Sequence, residues 1–177
     1  NVTLGVFAGQ RLAGSWRMET RLAVTADEYG IKIRDLFHYS MVEEKAIEGI
    51  ALASVVPPLT GAFEELYKKY FDCQCWTIQP ENCGVKILSQ HPQEVGADRV
   101  VNVAAVHKLF GGPAIVVDFG TATTFDCCSK RGEYLGGVIA PGPALAAEGL
   151  AKRTAQLPQV SLARPKRALG RTTVEGI

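Results

Sequence analysis

The run Ala114-Ile115-Val116-Val117, closing on Asp118-Phe119-Gly120-Thr121, constrains this chain more than any other stretch. Consecutive small and branched apolar residues read as a strand covered on both faces, and such a strand ends where polar chemistry can be exposed. Gly120 is the hinge of the turn, because without a Cβ the backbone can come close to a ligand. Amide N–H groups and the hydroxyls of Thr121, Thr123 and Thr124 can then face an anion while Asp118 faces a cation. A metal-bound polyphosphate suits that combination. The same residues also fit a β-hairpin whose threonines serve strand propensity. Propensity alone does not explain an acid at the end of a buried run, where an unpaired charge is costly to desolvate.

Composition narrows the function classes. A chain of 177 residues with 47% hydrophobic residues can bury a substantial core as one large domain or two small ones. Its net charge of +1 gives no electrostatic footprint for nucleic acid or an anionic membrane. The basic cluster Arg164, Lys166, Arg167 and Arg171 reads as a solvated loop. No apolar run approaches the ~20 residues needed to span a bilayer and no leader stands at the start, so a cytoplasmic protein is expected. Cys73, Cys75, Cys83, Cys127 and Cys128 lack Cys-x-x-Cys spacing and are expected to be free, mostly buried thiols, with His38, His91 and His107 forming no zinc pattern with them. The chain starts without methionine inside an apolar strand and stops just after a helix start, so both ends are expected to be cut.

In chain order, residues 2–7 and 11–18 predict a hairpin. Thr25-Ala26-Asp27-Glu28 fits a capping box, followed by a helical stripe of Tyr29, Ile33, Leu36 and Phe37. Residues 49–56 predict a strand stopped by Pro57-Pro58, and Phe63, Leu66, Tyr67 and Tyr70 form the stripe of a second helix. A short strand is expected at 76–78, a loop at 79–92, and a helix from Glu94 to about Phe110. After Gly111-Gly112-Pro113 the opening stretch leads into a meander of strands at 123–128 and 133–139. The layout of residues 123–135 parallels that of 1–12, as an internal duplication would. Glycine-dense residues 136–142 precede a helix over 144–152; they read either as a tight connection or as backbone open to a flat nucleoside. Thr173 lies near the start of a terminal helix.

Gly96-Ala97-Asp98-Arg99 opens its helix with an acid and a base. One reading is a helix-start preference, with Asp98 complementing the dipole. The functional reading gives Asp98 a substrate proton and Arg99 a carboxylate, which a planar guanidinium grips with two hydrogen bonds.

These blocks, together with Ser54-Val55-Val56-Pro57, Tyr134-Leu135-Gly136-Gly137, Pro141-Gly142 and Thr154-Ala155-Gln156-Leu157-Pro158, occur in an order that resembles type III pantothenate kinases. That family shares a superfamily with acetate and sugar kinases, actin and the Hsp70 ATPase domain. The resemblance implies an α/β fold of two ribonuclease H-like, actin-like domains with mixed sheets, here residues 1–108 and 109–177, both incomplete at their outer ends.

It also implies ATP-dependent phosphorylation of pantothenate, the first step of coenzyme A biosynthesis, by a cytoplasmic homodimer with no nucleic-acid or membrane partner. Asp98 matches the family's proton acceptor, and Gly96, Ala97, Asp98, Arg99 and Thr173 match its pantothenate contacts. Gly120 and Thr121 match the ATP-phosphate contacts. Asp118 matches the ligand of a monovalent cation, K⁺ or NH₄⁺, with Mg²⁺ as second ion. Two departures are visible. The family's first phosphate loop, Asp-x-Gly-Asn-Thr, does not precede Asn1, so the chain as it stands is expected to be inactive or severely weakened. A pantothenate-contacting tyrosine falls on Ser89, in a segment that looks short. The implied alternative is a non-catalytic nucleotide-binding relative that serves as a transcriptional accessory factor.

Overall fold

The computed structural model describes residues 1–177, which form two compact units of an α/β protein. One unit holds Asn1–Cys83 and Gly96–Asp98, the other Gly84–Val95 and Arg99–Ile177.

The first unit begins with the expected hairpin. Strands β1 (Val2–Ala8) and β2 (Arg11–Met18) pair antiparallel about Gly9, whose φ of 61° is the left-handed geometry a tight turn requires. Helix α1 (Ala26–Tyr39) starts on the capping box read from the sequence: the Glu28 amide donates to Thr25 Oγ1 at 3.3 Å, and the Thr25 amide donates to Glu28 Oε2 at 2.9 Å.

Strand β3 (Gly49–Ala53) is shorter than the sequence predicts, because Pro57 and Pro58 do more than stop it. They occupy the first turn of α2 (Pro57–Tyr70), where a missing N–H removes no helical bond. Strand β4 (Gln74–Ile78) then runs parallel to β3, which makes β3-α2-β4 a crossover unit. The two strand pairs form separate two-stranded sheets.

Their common cover is the core of this unit. Tyr29, Ile33 and Phe37 of α1 meet Leu59, Phe63, Leu66 and Tyr67 of α2, with Trp16 of the hairpin and Cys75 of β4 packed against them. Ring contacts tie the layers, Trp16 to Phe37 at 5.6 Å and Tyr29 to Phe63 at 4.9 Å. Gly30 lets the helices close, since a Cβ there would lie 2.6 Å from the Tyr70 ring. Leu66 has no exposed surface. Leu66→Ala is expected to cost about 2–5 kcal/mol, read as a lower urea midpoint; a cost below about 1 kcal/mol would remove Leu66 from the core.

The second unit is organised by a three-stranded antiparallel meander, β5 (Ala114–Phe119), β6 (Ala122–Cys128) and β7 (Tyr134–Pro141), in the order β5-β6-β7. Helix α3 (Ala97–Phe110) precedes it and starts later than expected, because Pro92–Glu94 forms a 3₁₀ turn instead. From Arg99 onward α3 belongs to this unit, with Val100 and Val103 fully buried. Gly132, at φ 81°, leaves room for His107 of α3; a Cβ there would sit 2.6 Å from Nδ1. Helix α4 (Pro143–Arg153) follows β7, and a single turn, α5 (Thr173–Gly176), lies near the end.

The expected loop at 79–92 contains a pairing the sequence did not signal. Residues 86–88 run alongside the first residue of β7, with Tyr134 N–H donating to Lys86 O at 2.9 Å and Leu88 N–H to Tyr134 O at 2.8 Å. The cysteines are all free, as expected, but only Cys128 is buried and the other four are half-buried. No helix is long and apolar enough to cross a membrane.

Candidate functional site

The strand and turn at Asp118 form where the sequence predicts them, but the strand is not covered on both faces as expected: Ile115, Val117 and Phe119 are 65%, 42% and 71% exposed, so the residues of odd number lie on an open face of this edge strand. Strand β5 ends at Phe119, Gly120 and Thr121 make the turn, and the Gly120 amide donates to Ala122 O at 3.0 Å. Asp118, Gly120 and Thr121 are all exposed. Asp118 stands opposite Thr124 across the β5–β6 ladder, so carboxylate and hydroxyl share one sheet face.

Thr123 goes the other way. It is 6% exposed and its hydroxyl donates to Pro141 O at 3.5 Å, so of the three threonines considered for an anion this one is turned into the protein. The reason is the strand's period of two, which sends neighbouring threonines to opposite faces.

The connection from β7 to α4 lies directly on this turn. Gly142 donates its N–H to Thr121 O at 3.0 Å, and a Cβ on Gly142 would stand 2.5 Å from that oxygen and closer still to Gly120 O. Gly142 is also the N-cap of α4, with no side-chain cap and Pro143 in the first turn. The free amides and positive dipole end of an eleven-residue helix therefore sit beside the Asp118 turn. The turn's Gly120 and Gly142 amides are taken by Ala122 O and Thr121 O, so what this place can offer an anion is the α4 N-terminus and the Thr121 hydroxyl. At Gly142 the glycine-rich β7 end is thus a tight strand-to-helix connection packed on the Asp118 turn, one of the two readings left open by the sequence.

Gly120 contrasts with Gly142. A Cβ at 120 would meet only Ala122 O at 3.5 Å, ordinary contact, so the fold itself does not require glycine there. What an added methyl would obstruct is the open side of the turn. Gly120→Ala is expected to leave stability unchanged or raise it by about 0.4–1 kcal/mol, while weakening ATP binding by about tenfold in the full-length protein. Thermal melts and an ATP titration read both, and an unchanged ATP affinity would take Gly120 out of the site.

In the first unit, Gly96 and Ala97 lead into Asp98, in the first turn of α3. Ala97 is buried at 5% while Asp98 is exposed. The Asp98 carboxylate folds back over Gly96, where a Cβ would lie 2.5 Å from Oδ1 and 3.1 Å from Val55 Cγ1. Glycine at 96 therefore gives that carboxylate its position. The neighbouring Ser54 turn is held by its own hydroxyl, which accepts from the Val56 amide at 3.2 Å and from Thr60 Oγ1 at 2.8 Å.

Arg99 has a partner that sequence reasoning missed. Its Nε donates to Asp126 Oδ1 at 2.7 Å, and Nη2 makes an ion-pair contact with the same oxygen at 2.6 Å. Tyr134 donates its hydroxyl to that oxygen at 3.1 Å, and its ring lies under the Arg99 guanidinium at 5.6 Å. Burial pushes the Tyr134 phenol up to about 12, with the Asp126 charge adding to the rise and Arg99 opposing it, so the hydroxyl stays a donor. An acid between Phe125 and Cys127 in β6, at the same parity as Thr124 and Cys128, was the available signal, because a buried carboxylate demands a cation.

Thr173 opens α5 next to its N-cap Thr172, whose hydroxyl accepts from the Glu175 amide at 3.2 Å. Ser89, where the family resemblance leads one to look for a tyrosine, has a buried hydroxyl with no hydrogen-bond partner.

The chain matches the type III pantothenate kinase family along residues 1–177. It is 51% identical to a type III pantothenate kinase of Moorella thermoacetica, over 98% of this chain and 69% of that protein. Those of Myxococcus xanthus and Koribacter versatilis are 43% and 44% identical, over the whole of this chain and 70% and 69% of theirs. With a match along its full length and relatives this similar, the chain belongs to the type III pantothenate kinase family.

Proposed function

We propose that this protein is a pantothenate kinase, transferring the γ-phosphoryl group of ATP to the primary hydroxyl of pantothenate, the step that commits pantothenate to coenzyme A. Membership of the family is the observation that carries this reading. Asp98 takes the proton of the attacking hydroxyl, the alcohol oxygen bonds to the γ-phosphorus, and the bond from that phosphorus to the β,γ-bridging oxygen breaks to release ADP. An exposed carboxylate positioned over Gly96 suits a base that must reach a soluble substrate. Arg99 receives the pantothenate carboxylate, with Gly96, Ala97 and Thr173 as further contacts. Gly120, Thr121 and the α4 N-terminus receive ATP phosphate.

The donor set at the Asp118 turn is a carboxylate with the hydroxyls of Thr121 and Thr124, oxygen only. Hard oxygen donors fit K⁺ or Mg²⁺, and a single carboxylate among neutral oxygens fits a monovalent cation or an ion shared with phosphate. We assign Asp118 to the monovalent cation. Such an ion, with Mg²⁺, would neutralise charge gathering on the phosphates. The same reading includes the ribonuclease H-like, actin-like description of the fold, its halves at 1–108 and 109–177, a homodimer and a cytoplasmic location.

A coupled ADP-release assay on the full-length protein, with pantothenate and with other small alcohols, with and without K⁺, tests this. Pantothenate-dependent turnover stimulated by K⁺ is expected. No turnover by demonstrably folded protein overturns it.

A further inference from the structure

Asp126 is a charged side chain with no exposed surface, set in a sheet. Replacing a buried ion pair by apolar groups is often neutral or stabilising, so a buried pair calls for a reason other than stability. Its surroundings supply one. Nε and Nη2, one edge of the Arg99 guanidinium, face a single Asp126 oxygen, and the Tyr134 hydroxyl donates to that same oxygen. The Arg99 side chain is 15% exposed against 0% for Asp126, so the pair is anchored inside and reaches outward at the arginine.

The sheet is bared to admit it. Gly137 stands across from Asp126 on β7, and a Cβ there would lie 2.5 Å from Arg99 Nη2 and 2.9 Å from Asp126 Oδ1. Tyr134 is itself held at both its backbone groups by residues 86–88. All these residues belong to the second unit.

We propose that Asp126 is a positioning residue: clamped with Tyr134 onto one edge of the Arg99 guanidinium, it sets the orientation in which Arg99 receives the substrate carboxylate. The inference rests on the reading that Arg99 binds that carboxylate. A guanidinium has five N–H donors in a rigid plane, so fixing one edge fixes the direction of the others.

The sign of the effect is diagnostic. Asp126 is an anion, so if charge alone mattered it would weaken attraction for a carboxylate, and removing it would tighten binding. If orientation matters, removing it loosens binding.

The test uses the full-length protein with pantothenate and with pantothenol, the analogue carrying an uncharged alcohol in place of the carboxylate. Asp126→Asn is expected to raise KM for pantothenate about tenfold or more while leaving KM for ATP and the pantothenol kinetics unchanged. Tyr134→Phe, which keeps the ion pair and removes one clamp, is expected to do the same by about two- to fivefold. If Asp126→Asn does not fold, Tyr134→Phe carries the test by itself. A pantothenate KM that stays or falls, or an equal change for both substrates, overturns the proposal.

Arg99→Gln separates the inference from the reading beneath it. Selective loss of pantothenate at Arg99→Gln with none in the folded Asp126 and Tyr134 variants overturns the positioning role alone. No selective loss at Arg99→Gln overturns the assignment of Arg99 and the positioning role with it.

Discussion

Asp98→Asn in the full-length protein is expected to lower kcat by about 10²- to 10³-fold, with KM for ATP changed less than threefold. A positioned general base contributes typically 10²- to 10⁴-fold. Phosphoryl transfer through a loose transition state places the effect toward the lower part of that range, because little proton transfer accompanies early bond making. At 1.36 kcal/mol per tenfold, that is about 2.7–4 kcal/mol of transition-state stabilisation.

The competing explanation is structural, since Asp98 also sits in the first turn of α3, where a negative charge is favourable. That contribution is typically 0.3–1 kcal/mol, too small for the expected loss in rate. Asparagine keeps the size of the side chain, so the Gly96 and Val55 surroundings are undisturbed. Steady-state kinetics beside a thermal melt decide between the two. A kcat within threefold of the parent protein would remove Asp98 from the role of base.

Gly142→Ala is expected to damage the phosphate turn and the fold together. The backbone of Gly142, at φ −68° and ψ 165°, is open to any residue, so alanine is not excluded by conformation. Space excludes it. The new methyl would stand 2.5 Å from Thr121 O and nearer to Gly120 O, both backbone atoms of the turn that cannot rotate away. Relief requires moving the turn or the α4 N-terminus by roughly 1 Å, and overpacking of this kind costs about 1–3 kcal/mol. Displacement on that scale at a site that positions reactants can lower rates about 10²-fold.

The expected result is a lower melting temperature without nucleotide and a shift by ATP much smaller than in the parent protein. Gly120→Ala, by contrast, should show a smaller ATP response, in keeping with about tenfold weaker binding, with no loss of basal stability. An unaltered ATP response in Gly142→Ala would show that the β7-to-α4 connection does not support the nucleotide site.

Much of the local structure was legible because it is encoded by near neighbours. The Thr25 box and the apolar stripes of α1 and α2 each involve residues within a few positions, and each formed; β5 formed as a strand, but the cover expected on both its faces did not, since Ile115 and Val117 are 65% and 42% exposed. Errors fell at boundaries where two rules compete. Pro57-Pro58 ended a strand and also began a helix, and the acidic start expected at Glu94 lost to Pro92, which set a 3₁₀ turn before α3. Residues 86–88 carried no strand signal because their pairing comes from Tyr134, far along the chain.

The sequence by itself determined the Asp118 turn, the position of Asp98 at a helix start and, through the order of its motifs, the family. The tertiary structure alone decided which atoms those residues meet: Arg99 against Asp126, Thr123 turned inward to Pro141, and Gly142 closed on the turn at Gly120 and Thr121. The physical reason is that helix caps and apolar periodicity act over one or two turns of chain, whereas these contacts depend on the register of β5, β6 and β7, which only the folded sheet sets.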